Sequence, residues 1–445
     1  MKIVTEPFDR NRMPPRQNLL IMPLLWLYCR AVTRKGKLRM NRIRMKGLTP
    51  PFLVLGSHHA FMDFYVTPLA IFPHRANYVS ELEGFEAFGE WPYRQIGCLG
   101  TRKFVNDLAL VRNIKRVMDR KGILVLYPEA RYANVGTHSV LPQSVGKLAK
   151  MLKVPVVVIN MRGNYLQSPI WNLTVRKDAV LDATITQVFT REELAETSVP
   201  DIHAKLQEFL TYDEYAWQYE TKQAITYAKR AEGIEQVLYM CPVCKCEFQM
   251  TSENADIFCR QCGERWHMTE YGRMEHVPAK QESVYQTGRE TADESDNRGE
   301  PDHMEEFSHI PDWYEWQRRQ VIREIKDNHY SLDISVHIDS LPNAVNFIDL
   351  GEGSLRHDKS GFALKFKDYG EAEEKTLHFP SNTMTSVHTE YDYRGKGQCI
   401  TLSTLDNTYF LFPRGDGFNV TKIQFAAEYL YEAAAAVGNR KKVRI

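Results

Sequence analysis

At 445 residues the chain is too long for one typical hydrophobic core, so roughly two to four domains are expected. Charged residues at 25% and hydrophobic ones at 43% are ordinary for a globular protein. The formal net charge of +1 leaves no global field that would favour nucleic acid.

Charge is unevenly placed, however. Residues 1–48 carry twelve Lys or Arg against only Glu6 and Asp9. Within them, residues 19–29 form the best apolar run, eleven residues interrupted by Pro23, whereas a membrane span needs about 20. Neither a signal peptide nor a spanning helix is expected. Followed by Arg30, Arg34, Lys35, Lys37, Arg39, Arg42, Arg44 and Lys46, the run reads as an interfacial helix. Its apolar side chains would dip into a leaflet while the cations meet anionic headgroups. The plainer alternative is a core helix of the first domain with a solvated basic flank.

From residue 51 to 162 apolar strands alternate with helical stretches. The run 51–57 reads as a buried strand and empties into His58-His59-Ala60-Phe61-Met62-Asp63, an H-x4-D spacing. A histidine at a strand end beside a carboxylate is a candidate general base, its tautomer fixed by the acid. Phe104, Leu108, Val111, Ile114 and Met118 fall at helical spacing and predict one buried face. A strand over 123–127 follows and ends in Pro128-Glu129-Ala130-Arg131; a helix over 143–153 then feeds a strand over 154–160. Such alternation predicts an α/β layer fold with a mostly parallel, covered sheet, its active residues at the carboxyl ends of strands. Helical segments through Glu192, Leu206 and Trp217 close this domain near residue 235.

Four blocks occur here in a fixed order: Ser57-His58-His59-Ala60-Phe61-Met62-Asp63, Gly97-Cys98-Leu99-Gly100-Thr101-Arg102, Tyr127-Pro128-Glu129-Ala130-Arg131, and Val154-Pro155-Val156-Val157-Val158. In this the first half of the chain resembles the glycerolipid acyltransferases, which acylate lysophosphatidic acid. The second block is one residue shorter than the common form, and Ala130 stands where that family has glycine. The resemblance implies acyl transfer from acyl-CoA or acyl carrier protein to the free hydroxyl of a lysophospholipid. The leading acceptor is 1-acyl-glycerol-3-phosphate, giving phosphatidic acid. It also implies His58 as general base, oriented by Asp63. Helical spacing alone would pair His59 with Asp63, one turn apart; the family register favours His58, placed just before the helix. Arg102 and Arg131 are the expected phosphate ligands, since a guanidinium fork fits phosphate oxygens. Glu129 is expected to fix their geometry or to bond a glycerol hydroxyl, its alternative being a buried ion pair. No Ser or Cys stands in a nucleophile-elbow context, so direct transfer is expected.

Cys241, Cys244, Cys259 and Cys262 form a C-x2-C…C-x2-C pattern with fourteen residues between the pairs. Thiolates so spaced converge tetrahedrally on Zn²⁺, and four protein ligands make the zinc structural. Cys246 and His267 are replacement ligands in the alternative. A ribbon also raises nucleic-acid or protein binding, but Lys245, Arg260 and Arg265 are offset by Glu247, Glu253, Asp256 and Glu264, so no nucleic acid is expected. Residues 278–306 turn polar and acidic and read as a disordered linker. Beyond the aromatic cluster Trp313-Tyr314-Trp316, a short helix is expected over 321–325. Runs of period two follow, then a final helix over 420–437. About seven strands closed by one helix resemble a pleckstrin-homology-like (PH-like) barrel; any small β-rich domain binding a protein or lipid ligand would read the same.

The expected fold class is therefore an α/β acyltransferase domain with a covered central sheet, followed by a small zinc ribbon and a β-rich, PH-like domain with a carboxyl-terminal helix. The boundaries are 1–235, 236–277, 278–306 for the linker and 307–445. The expected location is the cytoplasmic face of an anionic membrane leaflet, held peripherally. From another class comes the competing reading, a non-catalytic membrane adaptor that binds lipid and recruits partners through the ribbon and β domain.

Overall fold

The structure, a computed structural model, describes residues 3–278 and 307–442, apart from the side chains after 436. All but the first residue of the expected linker lies outside the described residues.

The first sheet is built from β1 (Arg39–Ile43), β2 (Phe52–Gly56), β3 (Asn77–Glu81), β4 (Cys98–Thr101), β5 (Ile123–Leu126), β6 (Val156–Arg162) and β7 (Asp182–Phe189). Its order is β1-β7-β6-β2-β5-β3-β4, parallel throughout except between β6 and β7. Alternation explains why β2 reads as a continuous apolar run. Phe52 and Val54 enter one buried cluster while Leu53 and Leu55 enter another on the opposite face. Ile123 and Val125 against Leu124 in β5, and Val157 and Ile159 against Val156 and Val158 in β6, repeat the pattern.

The helices of this part are α1 (Met22–Thr33), α2 (Asp63–Ala70), α3 (Leu82–Phe88), α4 (Glu90–Gln95), α5 (Leu108–Asp119), α6 (Ser144–Leu152), α7 (Asn164–Gln167), α8 (Arg191–Glu196), α9 (Val199–Leu210) and α10 (Glu214–Glu220). The buried face of α5 differs from the expected one. Asp107 caps the helix by accepting from the Ala109 N–H; Ile114 and Met118 are buried as expected and Val117 joins them, but Leu108 on the first turn is 75% exposed and Phe104 precedes the helix.

Next come β8 (Met250–Glu253), β9 (Asp256–Cys259), β10 (Arg265–Met268) and β11 (Met274–Val277), a small antiparallel sheet. After it, α11 (Ile310–Lys326) absorbs the aromatic cluster and is far longer than the expected short helix, starting with Pro311 in its first turn. The last sheet contains β12 (Leu332–Leu341), β13 (Ile348–Asp358), β14 (Gly361–Lys367), β15 (Glu374–Pro380), β16 (His388–Glu390), β17 (Cys399–Ser403) and β18 (Thr408–Pro413), followed by α12 (Val420–Lys442). It is wholly antiparallel, in the order β15-β14-β13-β12-β18-β17-β16.

These parts are not beads on a string. Leu341, Cys399, Phe410 and Phe412 of the last sheet share a core with Phe52 and Tyr78 of the first. A second core joins Trp266 of the small sheet, Trp313 of α11 and Phe425 of α12 to Ala133 and Val135, just past Arg131. Among the described residues no helix is long and apolar enough to cross a membrane.

Candidate active site

Strand β2 ends at Gly56, where an added Cβ would lie 2.7 Å from the Tyr127 ring, so glycine is what lets that ring close over the strand end. The chain then runs through His58 to Asp63, the first residue of α2. His58 Nδ1 lies 3.0 Å from Asp63 Oδ2, which makes Nδ1 the donor and Nε2 the acceptor of the neutral ring. No hydrogen-bond partner meets Nε2 among the described residues. Two tyrosines hold the ring, Tyr127 stacked at 4.4 Å and Tyr132 at 4.6 Å between centroids.

Asp63 is fully buried, and its charge is met from four directions. Oδ2 also accepts from the backbone N–H of His59 at 2.7 Å and of Ala60 at 3.2 Å, and Oδ1 accepts from Asn164 Nδ2 at 2.6 Å. Asn164 follows Gly163, whose φ of +81° and a Cβ position 1.9 Å from the Val180 carbonyl oxygen exclude any side chain there.

His59 faces inward. Its ring is wholly buried, stacks on Tyr212 at 3.8 Å, bonds Ser57 Oγ at 2.8 Å, and stands 3.5 Å from Glu214. Burial holds its pKa well below the usual imidazole value, so it stays neutral. His58 lines a cavity, whereas the His59 side chain is wholly buried.

That cavity measures about 420 Å³. Leu110, Ile114, Leu148 and Met151 give it an apolar wall, and Glu81 and Lys103 stand in it as an ion pair. Lys103 Nζ is also 2.9 Å from His388 Nε2 of β16, so the last sheet reaches the cavity's edge.

Of the remaining expected site residues, Arg102 and Arg131 line this cavity, Glu129 is buried, and each is already engaged. Glu129 was expected to serve the arginines or a glycerol hydroxyl. Its Oε1 instead accepts from the His58 backbone N–H at 3.1 Å, and its Oε2 accepts from the Ser139 N–H at 2.6 Å, so it fixes the turn that carries His58. Burial raises its pKa to about 7. Arg102 was expected on a phosphate. Its Nη1 donates to the Leu341 carbonyl at 2.8 Å and to Thr408 Oγ1 at 2.9 Å, and its Nη2 to the carbonyls of Pro342 at 2.7 Å and Asp406 at 3.0 Å. Every one of those acceptors belongs to the last sheet or its loops. Arg131 pairs through Nη2 with Glu428 of α12 at 2.8 Å, while its buried Nη1 has no partner among the described residues. Arg318 of α11 closes on the same carboxylate. The two guanidiniums hold Glu428 down at about pKa 2.

Tyr127, Tyr132, Asn164, Glu214 and Glu428 were not singled out from the sequence. Asn164 had the one local signal, a polar residue after Gly at the end of a buried strand. The others owe their place to contacts far apart in the chain.

The second cluster is metallic in character. The Sγ atoms of Cys241, Cys244, Cys259 and Cys262 all lie within 4.8 Å of one another, with Cys241–Cys262 at 3.6 Å and Cys244–Cys259 at 3.7 Å. A tetrahedron of thiolates at the zinc–sulfur distance has edges of about 3.8 Å, so the four fit such an ion. His267 is taken by Asp256 at 2.7 Å and Arg230 at 3.1 Å, and Cys246 stands outside the group of four.

No protein-family model matches the chain, and no curated protein matches it. Among solved structures it is similar to the 1-acyl-sn-glycerophosphate (LPA) acyltransferase PlsC from Thermotoga maritima, at 14% identity and a TM-score of 0.36, over 43% of this chain and 76% of that one. At that score the likeness carries no argument, and the functional reading rests on the site itself.

Proposed function

We propose that the chain transfers an acyl group from the thioester of acyl-CoA or acyl carrier protein to the free hydroxyl of a lysophospholipid, with 1-acyl-glycerol-3-phosphate as the leading acceptor and phosphatidic acid as product. One observation carries this reading. His58 is fixed through Nδ1 on a buried carboxylate while Nε2 is left open beside a cavity with an apolar wall. Nε2 takes the acceptor's hydroxyl proton as the oxygen attacks the thioester carbonyl. The tetrahedral intermediate then collapses, the carbon–sulfur bond breaks, and the imidazolium returns its proton to the departing thiolate. Asp63 stabilises the imidazolium in between, and its bonds from Asn164 and two backbone N–H groups hold the carboxylate in place.

In this reading Arg131 meets the acceptor's phosphate through its unpartnered Nη1, and Arg102 docks the last sheet. Zinc on the four cysteines is structural, since four protein ligands leave no open position. The chain divides at 1–235, 236–277, 278–306 and 307–445. The strand order of the last sheet and its closing helix support a PH-like unit. The amino-terminal segment attaches the protein peripherally to an anionic leaflet on the cytoplasmic side.

The test is a lipid-product mass measurement with pure protein, both thioester donors and a panel of acceptors. An acylated product from the native chain and none from His58→Ala supports transfer. No product from any pair, with lipid binding intact, moves the reading to the adaptor.

A further inference from the structure

We propose that the surface meeting the membrane is wider than the amino-terminal helix: it continues over Phe61, Phe88 and Trp91 to the mouth of the His58 cavity, and its partner is an anionic phospholipid leaflet. Its purpose rests on the acyltransferase reading; its geometry does not.

Single exposed apolar side chains need no explanation, but a continuous patch does. Leu24 and Leu27 of α1 are exposed, as are Phe72 after α2 and Phe61 before it; Phe88 on α3 is 58% exposed and Trp91 on α4 68%. Ring contacts link α1, α2 and α3, and Phe88 meets Tyr93 of α4 at 5.7 Å. Trp26 meets Phe72 at 4.8 Å, Tyr28 meets Tyr65 at 5.8 Å, Tyr65 meets Phe61 at 5.6 Å, and Phe61 meets Phe88 at 6.5 Å. Asn18, just before the exposed Leu19 and Leu20, is bonded to Gln95 at the end of α4 by backbone and side chain, both at 2.9 Å. Four helices thus share a surface that sequence reading assigned to one.

The charge on this face selects the occupant. Arg30, Arg34, Lys35 and Lys37 are exposed and make no ion pair among the described residues. Arg30, Arg34 and Lys37 line a cleft of about 1110 Å³ together with Trp26, Leu27 and Phe72, and no acid lines it. Of the carboxylates on α3 and α4, Glu86 pairs with Arg394 at 3.8 Å and Glu90 with Arg12, while Glu83 is half-buried and burial raises its pKa to about 7. Unpaired long cations beside aromatic and leucine side chains suit a headgroup layer over acyl chains.

The face leads to the chemistry. Phe61 contacts Phe64 at 5.5 Å, and Phe64 contacts the His58 ring at 6.0 Å and lines its cavity. A long-chain acceptor can therefore reach Nε2 while its chain stays in apolar surroundings.

Flotation of the full chain with vesicles of phosphatidylcholine, alone or mixed with phosphatidylserine, tests this. Phe88→Glu with Trp91→Glu should lower partition into the anionic vesicles by about ten-fold or more, from the apolar area lost, with circular dichroism unchanged. Native binding should weaken with salt. A folded double variant that floats like the native chain overturns the proposal, as does equal native binding to both vesicle types at every salt concentration. Should the double variant not fold, hydrogen exchange of the native chain decides: anionic vesicles must protect residues 61–65 and 82–95, and no protection there overturns the proposal. Transfer to a water-soluble short-chain acceptor is measured separately. Its absence with vesicle protection intact would remove the enzyme reading and leave this surface standing.

Discussion

Replacing Arg102 with Ala separates a substrate ligand from a docking residue. The guanidinium makes four hydrogen bonds of 2.7–3.0 Å to the last sheet, and the residue is 7% exposed. A bond from a charged donor contributes about 1.5–3 kcal/mol, and an acceptor left buried without a partner costs about 1–3. The Asp406 carbonyl is only partly buried and regains water. The acceptors at Leu341, Pro342 and Thr408 are sealed, and part of their loss is recovered by water entering the space the side chain leaves. A net destabilisation of about 3–6 kcal/mol follows, a large share of the roughly 5–15 kcal/mol that holds a typical protein. Arg102→Lys should lose about half as much, because an ammonium cannot span four acceptors in one plane. The assay is urea unfolding followed by circular dichroism, alongside the Michaelis constant for a phosphate-bearing acceptor. An unchanged unfolding midpoint with a raised Michaelis constant would refute the docking role and return Arg102 to the substrate.

Three further outcomes are expected. His58→Ala should lower turnover by roughly a hundred- to ten-thousand-fold in a folded protein, whereas His59→Ala should chiefly lower the unfolding midpoint, since the His59 ring is wholly buried; a reversed pattern would reassign the base. Metal analysis should find one zinc per chain, and chelation should loosen α11 as well as the ribbon, because Trp266 packs on Trp313 at 4.9 Å; zinc-free protein with native stability would exclude the site. Burial raises the Glu214 pKa from 4.5 to about 8, so between those values the folded state keeps a proton that the unfolded chain releases, and stability falls as pH rises. Glu214→Gln should remove that decline above pH 7, where the slope is up to about 1.4 kcal/mol per pH unit, leaving below it the similar decline from Glu129; an identical pH profile would show that Glu214 does not titrate in this range.

What could be read from the chain follows from how local each signal is. Strands β2, β5 and β6 were legible because both faces of the first sheet are covered, which forces uninterrupted apolar runs. The four cysteines were legible because their geometry is set by two short turns. His58 was placed ahead of the helix by family register, and the structure puts it there, with His59 joined to Asp63 only through its backbone N–H. The length of α11 was not legible, since Trp313, Tyr314 and Trp316 read as a cluster until the cores of the small sheet and α12 are seen to need them on one helix. Least legible were the partners of Arg102 and Arg131, which lie more than 230 residues away and follow no period.

Those partners give the chain's departures from the glycerolipid acyltransferase pattern a physical setting. Ala130 stands where that family has glycine, at a φ of +57°, a conformation that disfavours a side chain by about 1–2 kcal/mol. The loop tolerates it because the following residues are anchored: Ala133 and Val135 lie in the core shared with α11 and α12, and Asn134 bonds both Tyr314 and Gln424 at 2.9 Å. Arg131 emerges from that anchored turn directly onto Glu428. The planar fork that suits arginine to phosphate oxygens suits it equally to a carboxylate or a fan of carbonyls. Its presence in a motif therefore reports the geometry it can satisfy and not the group it meets. In this chain the second half supplies that group to both terminal nitrogens of Arg102 and to one of Arg131, while the buried Nη1 of Arg131 has no partner among the described residues.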